Sequence, residues 1–137
     1  MNQILHPGGW APAIGYSNGV AAAAGRIVFV AGQIGWNAEQ RFESDDLARQ
    51  FERALENIVA VLAEAGAGPE HVCRMTGFCT NKPEYLAARP EIGRAWRRVM
   101  GRRFPAMSMV FVSALLDEGA KIELEATAVV PAAQGRA

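Results

Sequence analysis

Leu47, Phe51, Leu55, Ile58, Leu62 and Ala65 recur at three- and four-residue intervals, which places them along one side of a helix. Arg49, Glu52, Arg53 and Glu56 fall on its other sides. Ser44 is placed to cap this helix, and Asp45 and Asp46 fall in its first turn, where negative charge suits the helix dipole. Gly66 is the expected terminator. A helix with one apolar stripe must bury it against another layer. With 137 residues the chain has material for one such core and not for two.

The second layer reads as β-sheet. Ser17–Ala24 and Arg26–Ala31 read as a hairpin turning at Ala24-Gly25, with Gly32 breaking the second strand. Gly35–Ala38 reads as a turn, and Arg41-Phe42 as the start of a short third strand. Val72–Thr80 is strand-like. Pro83 and Glu84 open a second helix carrying Leu86, Ile92, Trp96 and Val99, which Pro90 should kink or restart and Gly101 closes. Arg102–Pro105 is a loop. Ser108–Ser113 and Lys121–Val130 are two more strands, joined by Asp117-Glu118-Gly119. In the last strand Ile122, Leu124, Ala126, Ala128 and Val130 face one way, and Lys121, Glu123, Glu125, Thr127 and Val129 the other. Two helices on one face of a mixed sheet is the natural packing for this order, an α+β fold, with the other sheet face covered by sister subunits or left wet. Residues 1–12, with Pro7, Gly8, Gly9 and Pro12, suit an irregular arm; 13–130 form one domain; 131–137 form a short tail.

Charge narrows the partners. Lys plus Arg number 14 and Asp plus Glu number 14, a balance that argues against a nucleic-acid footprint or a polybasic membrane anchor. It leaves room for a local basic pocket and favours self-association. Met1–Pro12 lacks the pattern of a signal peptide, and no apolar run reaches membrane-spanning length, so the expected location is the cytoplasm. Cys73 and Cys79 lie six positions apart, roughly 20 Å along a strand, too far for a disulfide. They read as buried free thiols in a reducing compartment. His6 and His71 are isolated, with no metal-ligand spacing, and no phosphate-binding glycine loop, dinucleotide fingerprint or Gly-x-Ser-x-Gly elbow is present.

Four segments resemble one family in order and spacing, over about residues 13–130. Ala13-Ile14-Gly15-Tyr16-Ser17 is similar to the opening Ala-Ile-Gly-Pro-Tyr-Ser of the RidA/YjgF (endoribonuclease L-PSP-like) proteins, without the proline. Val28–Ile34 is similar to their Val-Phe-Val-Ser-Gly-Gln-Ile, and Gln50–Gly66 to their first helix. Phe104–Ser108 and Lys121–Val129 are similar to their closing Pro-Ala-Arg-Ser and Val-Glu-Ile-Glu-Ala-Ile-Ala-Val. The resemblance implies a chorismate-mutase-like fold with a mixed six-stranded sheet and two helices on one face. It also implies a homotrimer with a central barrel and clefts between subunits, and hydrolysis of a reactive enamine or imine to a carbonyl compound and ammonia with no cofactor and no metal. The implied partners are a small-molecule substrate and sister subunits, not nucleic acid or membrane. Although some relatives of this kind are described as ribonucleases, the balanced charge gives that activity no support here.

Carried onto this chain, the resemblance makes Glu123 the group that orients water and shuttles a proton. Tyr16, Ala31, Gly32, Gln33, Met107, Ser108 and Met109 become the substrate-binding residues. Each has a plainer reading: Glu123 and Glu125 as charges on a wet strand face, Tyr16 as a subunit-contact residue, Gly32 as a bulge glycine, Met107 and Met109 as core filler. Met107 stands where the family carries an arginine that grips the substrate carboxylate, and a thioether cannot make that bidentate charged contact. Standard small 2-imino acids should therefore be poor substrates, unless Arg89, Arg94, Arg102 or Arg103 substitutes; each of these also reads as solvated surface charge. Ala31 for serine and Met109 for cysteine, with Trp36 and Trp96, suggest an apolar pocket. The competing readings are a non-catalytic trimer that binds an apolar small molecule, and an interaction protein using an apolar trimer surface.

Overall fold

The computed structural model describes residues 2–132. Its elements are β1 (Gln3–Leu5), β2 (Gly19–Ala21), β3 (Gly25–Ile34), α1 (Leu47–Glu64), a 3₁₀ turn (Pro69–His71), β4 (Val72–Cys79), α2 (Lys82–Met100), β5 (Ala106–Phe111) and β6 (Ile122–Pro131). The chain is α+β, with two helices against a mixed sheet of order β3-β6-β4-β5. β6 runs antiparallel to both neighbours and β5 parallel to β4.

The stripe of α1 builds the core. Leu47, Phe51, Ala54, Leu55, Ile58 and Leu62 are buried against Ile122, Leu124, Ala126 and Ala128 of β6, Met75 and Cys79 of β4, and Ile92, Ala95 and Trp96 of α2. Asp46, not Ser44, is the cap: its carboxylate accepts from Arg49 N at 3.1 Å. Ser44 makes a local turn instead, its hydroxyl accepting from Asp46 N at 3.0 Å. At the other end Gly66, at φ 69°, closes a double-bonded terminus, with Gly66 N donating to Ala63 O and Ala67 N to Leu62 O. Asn81 caps α2, which runs through Pro90 without the expected restart. Its buried residues, Ile92, Ala95, Trp96 and Met100, all lie beyond the proline.

Three strand expectations fail. The hairpin between Ser17–Ala24 and Arg26–Ala31 does not form. β2 pairs with β1, so residues 1–12 are not irregular throughout, and among the described residues β3 pairs only with β6. The six strands are therefore divided between a four-stranded sheet and the β1-β2 ribbon. Arg41-Phe42 starts no strand. Asn37 Oδ1 accepts from Glu39 N and Arg41 N, a tight turn with Gln40 at φ 61°, and Phe42 packs on Trp36. Gly32 does not end β3, because the register slips between Val30 and Gln33 and the strand continues to Ile34. β6 extends to Pro131, and positions 133–137 of the expected tail lie outside the described residues.

The sheet has two unlike faces. Val28, Val30, Met75, Gly77, Met107, Met109, Leu124, Ala126 and Ala128 share the helix-covered side by register. Ile27, Phe29, Thr76, Phe78, Ser108, Val110, Glu123, Glu125, Thr127 and Val129 share the other. Among the described residues no helix covers that second face, and Phe29 there is 77% exposed.

Candidate functional site

Glu123 sits on β6, the most internal strand for this purpose, paired with Ile34 on one side and Phe78 on the other. Its backbone is thus held by two ladders. The side chain is half-buried, whereas Glu125 on the same face is exposed. The space it occupies is made by the β3 bulge: Ala31 and Gly32 together oppose the single residue Glu125. A Cβ on Gly32 would overlap Glu123 Oε2 and lie 2.7 Å from its Cδ. Only glycine lets the carboxylate lie down on β3. Among the described residues that carboxylate has neither an ion-pair partner nor a hydrogen-bond donor.

Two amides on α1 fix the strand ends beside it. Asn57 Nδ2 donates to Ile34 O at 3.1 Å and to Trp36 O at 2.9 Å, clamping the end of β3. Gln50, 1% exposed, donates through Nε2 to Ser44 O and Gly119 O and accepts from Lys121 N at 2.8 Å, clamping the start of β6. Gly35 permits the approach, since a Cβ there would lie 2.6 Å from that of Gln50. Neither amide is singled out by the sequence reading. The available signal is a neutral polar residue on or beside an apolar helix stripe.

The remaining expected site residues do not gather around Glu123 within one chain. Gln33 folds back, its Nε2 donating to Ala31 O. Ser108 shares the open face with Glu123, on the edge strand β5. Met107 and Met109 lie on the opposite, helix-covered face, packed against the core; Met109 fills the space left by Gly77, whose added Cβ would lie 2.8 Å from the Met109 sulfur. Trp96 is buried, stacked on Phe104 at 5.9 Å, with Nε1 donating to Arg103 O.

Tyr16 lies elsewhere. Ser17 N donates to Pro105 O and its hydroxyl to Phe104 O, which pins the segment carrying Tyr16 to the loop before β5. There Tyr16 lines a groove of about 730 Å³ with His6, Asn18, Arg102, Arg103 and Phe104 among its other walls. Of the other two arginines weighed from sequence, Arg94 pairs with Glu91 on α2, and Arg89 lies beside Tyr85. Burial raises the thiol pKa of both Cys73 and Cys79, which are free and suited to neither nucleophilic nor metal chemistry in that state. Among the described residues no three His, Cys, Asp or Glu side chains converge as metal ligands, and no helix is long and apolar enough to cross a membrane.

Two helices on one face of a mixed sheet is the α+β architecture of the solved Rid proteins on which this chain superposes. The chain belongs to the endoribonuclease L-PSP family, the RidA/YjgF group, whose family model matches residues 9–130. Protein DfrA of Myxococcus xanthus is 36% identical over 129 residues, 93% of this chain and 95% of that protein. A RutC family protein of Haemophilus influenzae is 32% identical, covering 94% of this chain and 98% of its own length. Among solved structures, the Rid family protein YyfB of Yersinia pestis superposes with a TM-score of 0.83 at 32% identity, over 94% of this chain and 98% of that one. TdcF of E. coli, solved with bound serine, does so with a TM-score of 0.67 at 28% identity, over 93% and 98%.

Proposed function

We propose that the chain hydrolyses a reactive enamine or imine to a carbonyl compound and ammonia at clefts between subunits of a homotrimer. The observation that carries this reading is the Glu123 carboxylate: half-buried, unpaired among the described residues, and laid over Gly32 on a doubly paired strand. A carboxylate so held can accept a hydrogen bond from water and take its proton as the water adds to the imine carbon. That proton passes to the nitrogen to give a neutral carbinolamine; the carboxylate then relays the hydroxyl proton to the same nitrogen, the C–N bond breaks, and ammonia leaves as the carbonyl forms. An enamine enters the sequence after protonation at carbon to the imine.

The apolar open face supports the assembly. Ile27, Phe29 and Val110 are 59%, 77% and 41% exposed, and a sheet face of this kind is stabilised when sister copies turn theirs inward as a barrel. Met107 shapes the substrate choice. A core-facing thioether supplies no charge for a substrate carboxylate, so uncarboxylated imines are favoured over standard 2-imino acids. The expected location is the cytoplasm, where Cys73 and Cys79 stay reduced.

The test is ammonia release from imines generated in situ by an amino-acid oxidase or an amine oxidase. Faster hydrolysis of an uncarboxylated imine, lost in Glu123→Gln, is the expected result. No acceleration of any imine would overturn the enzyme reading in favour of a trimer that only binds small molecules.

A further inference from the structure

The position of Glu123 depends on a short piece of sheet. β3 pairs with β6 over six positions from Gly25 to Val30, slips at the bulge, and then resumes for two positions only, Gln33 with Leu124 and Ile34 with Glu123. Gly32, over which the carboxylate lies, is therefore held by a long ladder on one side and by two rungs on the other. Two rungs at a strand end fray unless something else holds them.

Asn57 is that hold. Its Nδ2 carries two hydrogens and both are used, one on Ile34 O at 3.1 Å and the other on Trp36 O at 2.9 Å. Trp36 N also donates to Ile34 O at 2.9 Å, so both lone pairs of that carbonyl are taken by groups outside β6. The chain then turns at Gly35, whose backbone rests on α1: a Cβ there would lie 2.5 Å from the Cα of Gln50. Gln50 precedes Asn57 by two helical turns, on the same side of α1 and roughly 10 Å away. It holds the start of β6 through Lys121 N, just before Glu123. One side of α1 therefore grips both strands of the rung that carries Glu123.

Neither the helix nor the core asks for an amide at this position. Asparagine ranks below alanine inside a helix. Asn57 is half-buried and stands outside the buried stripe of α1. What explains it is the pair of carbonyls it meets. We infer that Asn57 is a positioning residue for Glu123. It works from the helix-covered side of the sheet, holding the end of β3 so that Gly32 stays under the Glu123 side chain. The inference rests on hydrolysis at Glu123 as proposed above.

Asn57→Ala and Asn57→Asp test it in the full chain. Alanine removes both bonds and suits α1, so circular dichroism and sedimentation should match the native chain. Its kcat on an uncarboxylated imine should fall about tenfold or more with KM changed less than about twofold, because the reacting carboxylate has moved and the binding surface has not. An ionised aspartate has no hydrogen to give, and a protonated one has a single hydrogen. Asn57→Asp should therefore be as slow as Asn57→Ala at neutral pH and recover relative to the native chain as pH falls, which a loss of packing would not do. The Gly32 amide resonance is a readout independent of turnover. In the native chain it should shift as Glu123 is protonated; the response should vanish in Glu123→Gln and be largely lost in Asn57→Ala. Native kcat in Asn57→Ala, a changed sedimentation profile that accounts for its loss, no recovery of Asn57→Asp in acid, or an undiminished Gly32 response would each overturn the role. If the native chain hydrolyses no imine, hydrolysis at Glu123 fails by itself, and the Gly32 response still decides whether Asn57 places the carboxylate.

Discussion

Replacing Gln50 with leucine should cost more stability than any ordinary surface change. Gln50 is 1% exposed and makes three hydrogen bonds, to Ser44 O at 3.0 Å, to Gly119 O at 2.9 Å and from Lys121 N at 2.8 Å. Leucine has similar volume and suits the stripe of α1, so no cavity opens. It leaves two carbonyls and one N–H without their partner. Unmet buried groups cost about 1–3 kcal/mol each, and burying the leucine returns about 1.5–2 kcal/mol. The net loss is about 1–7 kcal/mol, or upwards of about 3 °C in Tm for a chain of this size. Denaturant unfolding followed by circular dichroism, at matched chain concentration, measures it. Gln50→Glu separates bonding from packing. Its ionised carboxylate would face two carbonyls it cannot bond, so its folded pKa is raised and the variant should gain stability relative to the native chain as pH falls through that value. A loss under about 1 kcal/mol in Gln50→Leu would refute the reasoning, because it would mean the three bonds contribute no more than water would.

Two further changes test the site and the helix pair. Gly32→Ala should displace the Glu123 carboxylate, since the new Cβ would overlap Oε2, and imine hydrolysis should fall about tenfold or more while the far-ultraviolet spectrum is unchanged; full activity would show that the carboxylate is not held where the bulge puts it. The Arg98 guanidinium, on Glu52 through two hydrogen bonds of 2.9 Å, lowers the Glu52 pKa. A carboxylate with a lowered folded pKa contributes stability above its unfolded value, near 4.3, and that contribution is lost as pH falls through the folded value. Arg98→Ala should therefore lose slight stability at neutral pH and none once Glu52 is protonated, with the Glu52 resonance titrating higher by NMR.

Much of this fold is legible because its strongest elements repeat one physical signal. The stripe of α1 and the alternation of β6 each have a single apolar face, and the structure buries both. Signals failed where a residue had two local options. Ser44 bonds its own turn and leaves the cap to Asp46. Pro90 forgoes a bond to the exposed first turns of α2, where Leu86 is 48% exposed and water can serve the freed carbonyl, so the helix survives. The site was less legible for a related reason. In β5 both parities are largely apolar, with Met107, Met109 and Phe111 against Ala106 and Val110, so alternation cannot say which side meets the helices. Register does say: Met107 lies beside Met75 in the core, away from the face of Glu123. Gly32 had been readable as a breaker or a bulge, and the slip in register makes it the second.

The position of Tyr16 follows from the hairpin that does not form. A two-residue hairpin turn needs positive φ, which Ala24 accepts poorly, and Ala22–Ala24 offers a strand neither branched nor aromatic side chains. Gly25 is used differently: an added Cβ would lie 2.7 Å from the carbonyl carbon of Val130, so it is a close-packing position against the end of β6 rather than a turn. β2 therefore does not line up along β3. It pairs with β1, and Ser17 bridges to Ala106 at the start of β5. That single change in pairing carries Tyr16 away from the bulge that holds Glu123 and sets it beside Arg102 and Arg103. A sequence motif fixes which residues are present, while strand pairing decides which of them meet. Within one chain that decision sets an unpaired carboxylate on the open sheet face and two guanidinium groups at the sheet end, and assembly of subunits decides what each of them meets.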